Sequence, residues 1–213
     1  SHEFMVEAEI GEDKIILCRL CNFAQNSEIS KLKAKDRCPK CKSGVLEQIN
    51  VIEVGNIFKL GTRFSEPNKL YYRDKEGKQI AVIMGSYGIG IERLMGTVAE
   101  IHHDELGLIW PVSIAPFDAH LLLIGGKEPD LQKFGDKVYH KLVKAGISVL
   151  FDDRNLSTGE KFFEADLLGL PWRLVLSDKT LIQNKIEIKK RGAKESRLVK
   201  LTDLPKIISD KIK

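Results

Sequence analysis

Four cysteines occur in 213 residues, and all fall within 24 positions: Cys18-x-x-Cys21, sixteen residues, then Cys38-x-x-Cys41. That spacing lies within the range of a four-thiolate zinc site. Each Cys-x-x-Cys turn aims two sulfurs at one point, and two such turns on neighbouring hairpins complete a tetrahedron about 2.3 Å from the metal. Pro39 and Gly44 suit a tight knuckle turn. Two disulfides or four reduced structural thiols are the competing readings. Disulfides belong to exported chains, and the N-terminus shows no basic stretch leading into an apolar segment. Four thiolates leave no open coordination position, so a structural Zn2+ is expected rather than a catalytic one.

The chain is long enough for two modest domains. Hydrophobic residues at 43% and charged residues at 30% permit a real core and exclude a disordered or fibrous chain. No apolar run approaches the roughly 20 residues of a membrane span, so membrane and secretory readings are set aside. Ser1-His2-Glu3-Phe4-Met5 looks like a cloning scar and is left out of the fold reading. Residues 1–111 carry 15 Lys and Arg against 16 Asp and Glu, and residues 112–213 carry 19 against 14. The basic excess of the second half is weak, compatible with a polyanion partner and equally with a plain solvated surface.

Two rhythms meet near Trp110-Pro111. Residues 6–50 form the Cys-rich segment. From 51 to 111 the runs Val51–Val54, Ile57–Leu60, Leu70–Tyr72 and Ile80–Ile83 are β-branched or aromatic, with a turn at Asp74–Lys78 between the last two. Strands in succession without helices imply an antiparallel sheet of α+β type. Gly85-Ser-Tyr-Gly88-Ile-Gly90 reads as a break after these strands. Ile91, Leu94, Met95, Val98 and Ile101 then mark an amphipathic helix over 91–102.

Residues 112–213 alternate strand and helix. Strands are expected at His120–Ile124, Ile147–Phe151, Trp172–Leu176 and Lys185–Ile188. Helices are expected on the face Leu131, Phe134, Val138 and Leu142, over Lys161–Leu168, and from Asp203 to Ile212. The expectation is a three-layer α/β unit around a mixed sheet.

The segment Gly85-Ser-Tyr-Gly88-Ile-Gly90-Ile-Glu92-Arg93-Leu94 carries the chemistry. Glycines alone at such a junction signal little more than close packing, and no βαβ unit surrounds them, so they are not a dinucleotide fingerprint. The adjoining Glu92-Arg93 adds meaning. A ring can lie against side-chain-free backbone while a guanidinium stacks on it or pairs with phosphate. The bland reading of Arg93 is a solvated or helix-capping residue.

This segment resembles motif 3 of class II aminoacyl-tRNA synthetases, and its flanks resemble the bacterial-type prolyl-tRNA synthetases. Ile52–Ser65, Met84–Gly90, His102–Phe117 and Gly146–Arg154 resemble successive blocks of that family, in order. The likeness covers Val6 to the C-terminus. It implies that the 51–111 region is part of a class II catalytic core and that 112–213 is an anticodon-binding domain. It further implies that Gly88, Gly90, Glu92 and Arg93 meet ATP, with Arg93 on adenine and the terminal phosphate as the catalytic contact. Asn56, Phe58, Gly85 and Ser86 would line a proline pocket, although Phe58 could equally be plain sheet packing. The family usually has His where Asn56 stands and Cys where Ser86 stands, which puts the pocket's affinity and discrimination in doubt. Asp153, Arg154, Lys161 and Phe162 would face the tRNA anticodon, by phosphate or guanine contacts and by stacking. Asp152 and Asp153 also read as turn-forming acids at a strand end. Ser157-Thr-Gly159 stands where Arg-Pro-Gly is usual, so one basic group is missing.

The resemblance implies proline–tRNA ligation in protein biosynthesis, with ATP and Mg2+ as cofactors, tRNA(Pro) and proline as partners, a homodimeric parent and a cytoplasmic or organelle-matrix location. Motifs 1 and 2 are not in the sequence, so the chain is expected to be a C-terminal fragment, inactive alone. Phe23–Glu28 resembles the stretch preceding the family's editing insertion, and the knuckle stands in its place. The alternative is a free-standing, non-catalytic tRNA-binding protein derived from such an enzyme. An upstream reading frame carrying motifs 1 and 2 would decide between them.

Overall fold

The computed structural model describes residues 2–125 and 129–209, and the chain divides into two compact units, Ser1–Ile101 and His102–Lys213.

In the first unit the strands β1 (His2–Glu7), β2 (Asp13–Cys18), β3 (Phe23–Asn26), β4 (Glu47–Gly61) and β7 (Met84–Ile89) form one antiparallel sheet. The long β4 is its spine: the first part pairs β2, the middle pairs β1 and the last part pairs β7. β5 (Tyr71–Arg73) and β6 (Gln79–Ala81) make a separate ribbon. Its turn is closed by the Asp74 carboxylate, which accepts the Glu76 and Lys78 amides at 2.9 Å each, and by Gly77 at φ +83°. Helix α1 (Ile91–Ile101) follows β7 directly.

Four expectations are corrected here. Residues set aside as a scar belong to the fold, because His2–Met5 pair with Ile57–Glu53 of β4. Ladder hydrogen bonds use backbone groups, so the composition of that segment does not matter. The Cys-rich segment is not separate from the sheet either, since its β2 and β3 extend the ladder from β4. The two runs 51–54 and 57–60 are one strand. Gly55, buried between them, allows a close approach to β7: a Cβ there would sit 2.9 Å from the Gly88 carbonyl oxygen. Finally, the glycine segment 85–90 does not break the strand but is a strand, with Met84–Ile89 paired along Gly55–Gly61.

In the second unit, the hairpin β8 (His103–Asp104) and β9 (Gly107–Leu108) precedes a five-stranded mixed sheet of order β11-β10-β12-β13-β14. β10 (Ala119–Ile124) lies parallel to β11 (Val149–Asp152) and β12 (Trp172–Ser177), whereas β13 (Lys185–Lys190) and β14 (Arg197–Lys200) continue antiparallel. Helices α2 (Pro129–Lys144) and α5 (Leu204–Ser209) pack Leu131, Val138, Leu142, Leu204 and Ile208 with Leu121, Leu174, Ile186 and Ile188 of the sheet. Leu122 and Val175 point the other way, toward Ala165 and Phe162 of α3 (Thr158–Leu168). Strand alternation thus sorts the residues of β10 between the two cores.

The division comes earlier than Trp110–Pro111. Arg191 grips the Asp104 carboxylate through Nη1 and Nη2 at 2.8 and 2.6 Å and donates to the Gly107 carbonyl at 3.2 Å, which ties the β8–β9 hairpin into the second unit. β14 and the short α4 (Asp178–Ile182) have no counterpart in the sequence reading. A five-residue helix, capped by Ser177 with Thr180, is too short to show a period. Residues 210–212 of the expected last helix lie outside the described residues. Among the described residues no helix is long and apolar enough to cross a membrane.

Candidate functional site

The β2–β3 turn and the loop after it converge the four cysteines. Their ligand atoms all lie within 4.8 Å of one another, with Cys18 and Cys41 Sγ 3.8 Å apart and Cys21 and Cys38 Sγ 3.5 Å apart. A tetrahedron of about 2.3 Å bonds puts its sulfurs roughly 3.8 Å apart, so the thiols fit a tetrahedral metal ion. The Gly44 amide donates to Cys41 Sγ at 3.3 Å; with the Ser43 amide it draws that thiol down to about 6. Gly44 itself cannot be larger, because a Cβ would meet Cys18 Sγ at 2.4 Å. Next to the cluster, Arg19 binds Glu7 of β1 at 2.6 Å and Glu47 of β4, tying the knuckle to the spine of the sheet.

The β4–β7 register brings the implied proline and ATP residues together. Asn56 lies opposite Gly88 and Phe58 opposite Ser86, so these four positions share one sheet face. Gly85, opposite Lys59, falls on the alternate face. Asn56 occupies the space over Gly88: a Cβ at Gly88 would approach its Oδ1 to 3.1 Å. Asn56 and Gly88 line a groove of about 660 Å³ together with Val54, Tyr87, Ile89 and Leu94. Gly90 ends the strand, and Glu92 and Arg93 stand on the first turn of α1.

Arg93 is exposed, and its Nη1 donates to the Glu53 carbonyl at 2.9 Å while lying 3.8 Å from the Glu53 carboxylate. The same carboxylate accepts Asn56 Nδ2 at 2.9 Å. Glu53 therefore links Arg93 to Asn56. Sequence reasoning passed over it as one polar residue in a strand, and nothing in its local pattern marks it.

In the second unit the structure separates the four anticodon candidates. Asp153 is exposed at the end of β11. Arg154 is half-exposed, with Nε and Nη2 each 2.9 Å from the Asp152 carboxylate and Nη2 also on Glu164. That fork holds Asp152 below its ordinary range. Lys161 is 2% exposed; its Nζ donates to the carbonyls of Leu123 at 2.8 Å and Asp152 at 3.2 Å, with Asp152 Oδ1 at 3.8 Å. Phe162 is half-buried in the Leu122–Ala165–Val175 core, with the Arg173 guanidinium 4.7 Å from its ring centre. Lys161 thus faces inward with its ammonium held by the fold, at odds with its expected contact with RNA, while Phe162 is half-buried. The cause is the phase of α3, which buries Lys161 and Ala165 one turn apart. The neighbouring Phe163, 65% exposed, is the aromatic this helix offers to solvent.

Comparison with known proteins places this geometry. Residues 112–211 match the anticodon binding domain family. The chain is 43% identical over 187 residues to a proline–tRNA ligase of Anaeromyxobacter sp. (strain Fw109-5), covering 88% of this chain and 32% of that one. It is 38% identical over 190 residues to that of Aquifex aeolicus (strain VF5), covering 89% and 33%. The chain is homologous to the prolyl-tRNA synthetases. It spans about a third of the length of these curated relatives. Among solved structures, prolyl-tRNA synthetase from Cryptosporidium parvum complexed with L-proline and AMP superposes with a TM-score of 0.70 at 20% identity, over 94% of this chain and 40% of that one. The same synthetase complexed with halofuginone and AMPPNP gives 0.70 at 23% identity over 76% of this chain and 34% of that one. The synthetase fold accounts for the antiparallel sheet as well as for the domain after it.

The second unit also buries His120, which faces α3 from the middle of β10 and is 2% exposed. Burial is the largest influence on its imidazole and holds it down to about 4. Unfolded, the group would titrate near 6.5. Between these values the unfolded chain binds the extra proton, so stability is complete above about pH 6.5 and declines as pH falls toward 4. The denaturation free energy of this domain, followed by fluorescence of Trp110 and Trp172, is expected to be about 2 kcal/mol lower at pH 5 than at pH 7. A flat profile would show that the folded domain protonates His120 freely.

Proposed function

We propose that this chain is the motif 3 and anticodon-binding region of a proline–tRNA ligase, and that its four cysteines hold a structural Zn2+. The observation that carries the reading is the β4–β7 register, which gathers Asn56, Phe58, Ser86 and Gly88 on one platform beside Arg93, in a chain whose residues 112–211 match an anticodon binding domain.

In the parent reaction a proline carboxylate oxygen attacks the α-phosphorus of ATP and pyrophosphate leaves. A terminal ribose hydroxyl of tRNA(Pro) then attacks the prolyl carbonyl and AMP leaves. Mg2+ supplies charge neutralisation of the phosphates when bound. Gly88 and Gly90 keep the floor of the site free of side chains, and Glu92 and Arg93 sit where the helix begins. Arg93, preset by its bond to the Glu53 carbonyl, offers its guanidinium to adenine and the terminal phosphate. Asn56 and Ser86 hydrogen-bond the amino acid in place of the usual His and Cys, with Phe58 as the apolar wall. On the anticodon side, Asp153 and Arg154 are the exposed polar groups, and Phe163 takes the stacking role first given to Phe162. Motifs 1 and 2 of the parent supply the homodimer interface and the second arginine, so activation belongs to the whole ligase. The parent acts in the cytoplasm or an organelle matrix.

Two measurements test this. In the full-length ligase, Arg93→Ala is expected to lower proline-dependent ATP–pyrophosphate exchange by about 10²–10³-fold; an unchanged rate would remove Arg93 from the site. The 213-residue chain is expected to bind tRNA(Pro) more tightly than the same tRNA with its anticodon bases exchanged, across a salt series. Equal, weak binding that vanishes with salt would remove Asp153, Arg154 and Phe163 from the interface.

A further inference from the structure

The loop that carries the second cysteine pair has a property the synthetase reading leaves unused. Residues 31–42 hold six cations, Lys31, Lys33, Lys35, Arg37, Lys40 and Lys42, against the single acid Asp36. Outside this stretch, residues 1–111 hold nine cations against fifteen acids. Within the first unit, Ser1–Ile101, the remainder is net acidic, nine cations against thirteen acids, and the densest run of positive charge is at the knuckle. All six cations are exposed, and among the described residues none of them is in an ion pair. Asp36 accepts the Lys33 amide at 2.8 Å, which turns the chain without neutralising a side chain.

The cations stand on a fixed backbone. The Lys35 amide donates to the Leu46 carbonyl, the Leu46 amide to the Asp36 carbonyl and the Cys38 amide to the Gly44 carbonyl, each at 2.8 Å. Lys42 donates back to Cys38 at 2.9 Å. Two of the lysines occupy left-handed backbone positions, Lys35 at φ +75° and Lys42 at φ +59°. Glycine or asparagine adopts that conformation at lower cost. At the matching position after the first cysteine pair the chain has Asn22, at φ +55°. Lysine at position 42 thus sits in a conformation that glycine or asparagine adopts more cheaply, and among the described residues its ammonium is exposed and in no ion pair.

We propose that the cysteine knuckle is a second RNA-binding surface, which grips the phosphate backbone without reading sequence. Unpaired cations crowded on a rigid turn release counterions from a polyphosphate on contact. The choice of RNA over other polyanions rests on the tRNA-ligase reading of the same chain. The partner is tRNA outside its anticodon, so a short RNA hairpin without an anticodon is a sufficient probe.

The test compares the 213-residue chain with two variants, K33Q/R37Q/K40Q and K35G/K42G, for binding to that hairpin across a salt series. The triple variant is expected to bind about tenfold or more weakly at roughly 50 mM salt, with a flatter dependence of log K on log salt. The glycine pair relieves the backbone penalty while removing charge, so its melting temperature should not fall although its hairpin affinity does. That opposite movement separates lost contact from lost fold. Wild-type-like affinity and salt slope in both variants would overturn the proposal, as would failure of the wild-type chain to bind the hairpin at low salt. Tighter binding to dianionic lipid vesicles than to the hairpin would also overturn it. Loss of anticodon discrimination with hairpin binding intact would count against the anticodon assignment and leave the knuckle surface standing.

Discussion

Cys38→Ser is expected to take bound zinc from one ion per chain to none and to unfold residues 27–46 locally. The cluster beneath the knuckle is small: Ile16, Cys18, Cys38 and Leu46, with Phe23 and Leu32 partly buried against it. Ordering such a loop costs about 1–2 kcal/mol per residue in backbone entropy, and a handful of apolar side chains recovers only about 1.5–3 kcal/mol each. A four-thiolate zinc site contributes about 10 kcal/mol or more toward ordering the loop. Metal analysis of the purified protein, with limited proteolysis near Lys35 and Lys40 before and after chelation, reads the effect. Protection of the knuckle in a metal-free chain would sink the zinc assignment. Arg19 should keep β2 against β1 and β4 in the variant, so damage is expected to stop at the knuckle.

Lys161→Met is expected to destabilise the second unit by about 3 kcal/mol, a loss of at least roughly 10 °C in its melting temperature. The ammonium closes three acceptors at once: the Leu123 carbonyl at the end of β10, and the carbonyl and carboxylate of Asp152 at the end of β11. Removing it leaves two strand-end carbonyls buried without that donor, although Arg154 still neutralises Asp152. Arg154→Gln makes the comparison. Its side chain is half-exposed, so it should cost far less stability and more tRNA affinity. A Lys161 variant that melts normally and loses only tRNA binding would restore the lysine to the RNA interface.

Two basic residues illustrate what a sequence can hide. Lys161 and Arg154 look alike on paper, both basic and both in the block that resembles the anticodon contacts. One closes the ends of two parallel strands and the other points outward, because Ser157 and Glu160 start α3 in a phase that turns Lys161 inward. Phe162 and Phe163 divide in the same way. Glu53 became visible only when the strand placed its carbonyl against Arg93 and its carboxylate against Asn56.

By itself the sequence determined what depends on short-range spacing. The paired cysteines, the β-branched runs, the helix after Gly90 and the strand–helix alternation after Pro111 all follow from local geometry or from a period of two or 3.6 residues. The four ordered blocks carried the family resemblance in the same way, because each is contiguous. The tertiary structure decided what depends on pairing between distant segments. It showed that a glycine run is a strand against β4, that the first residues complete a sheet, that the unit boundary falls before Asp104, and that a basic lysine is buried. Those outcomes turn on register and helix phase, where a shift of one residue exchanges inside for outside, and neither quantity is written in any local stretch of the chain.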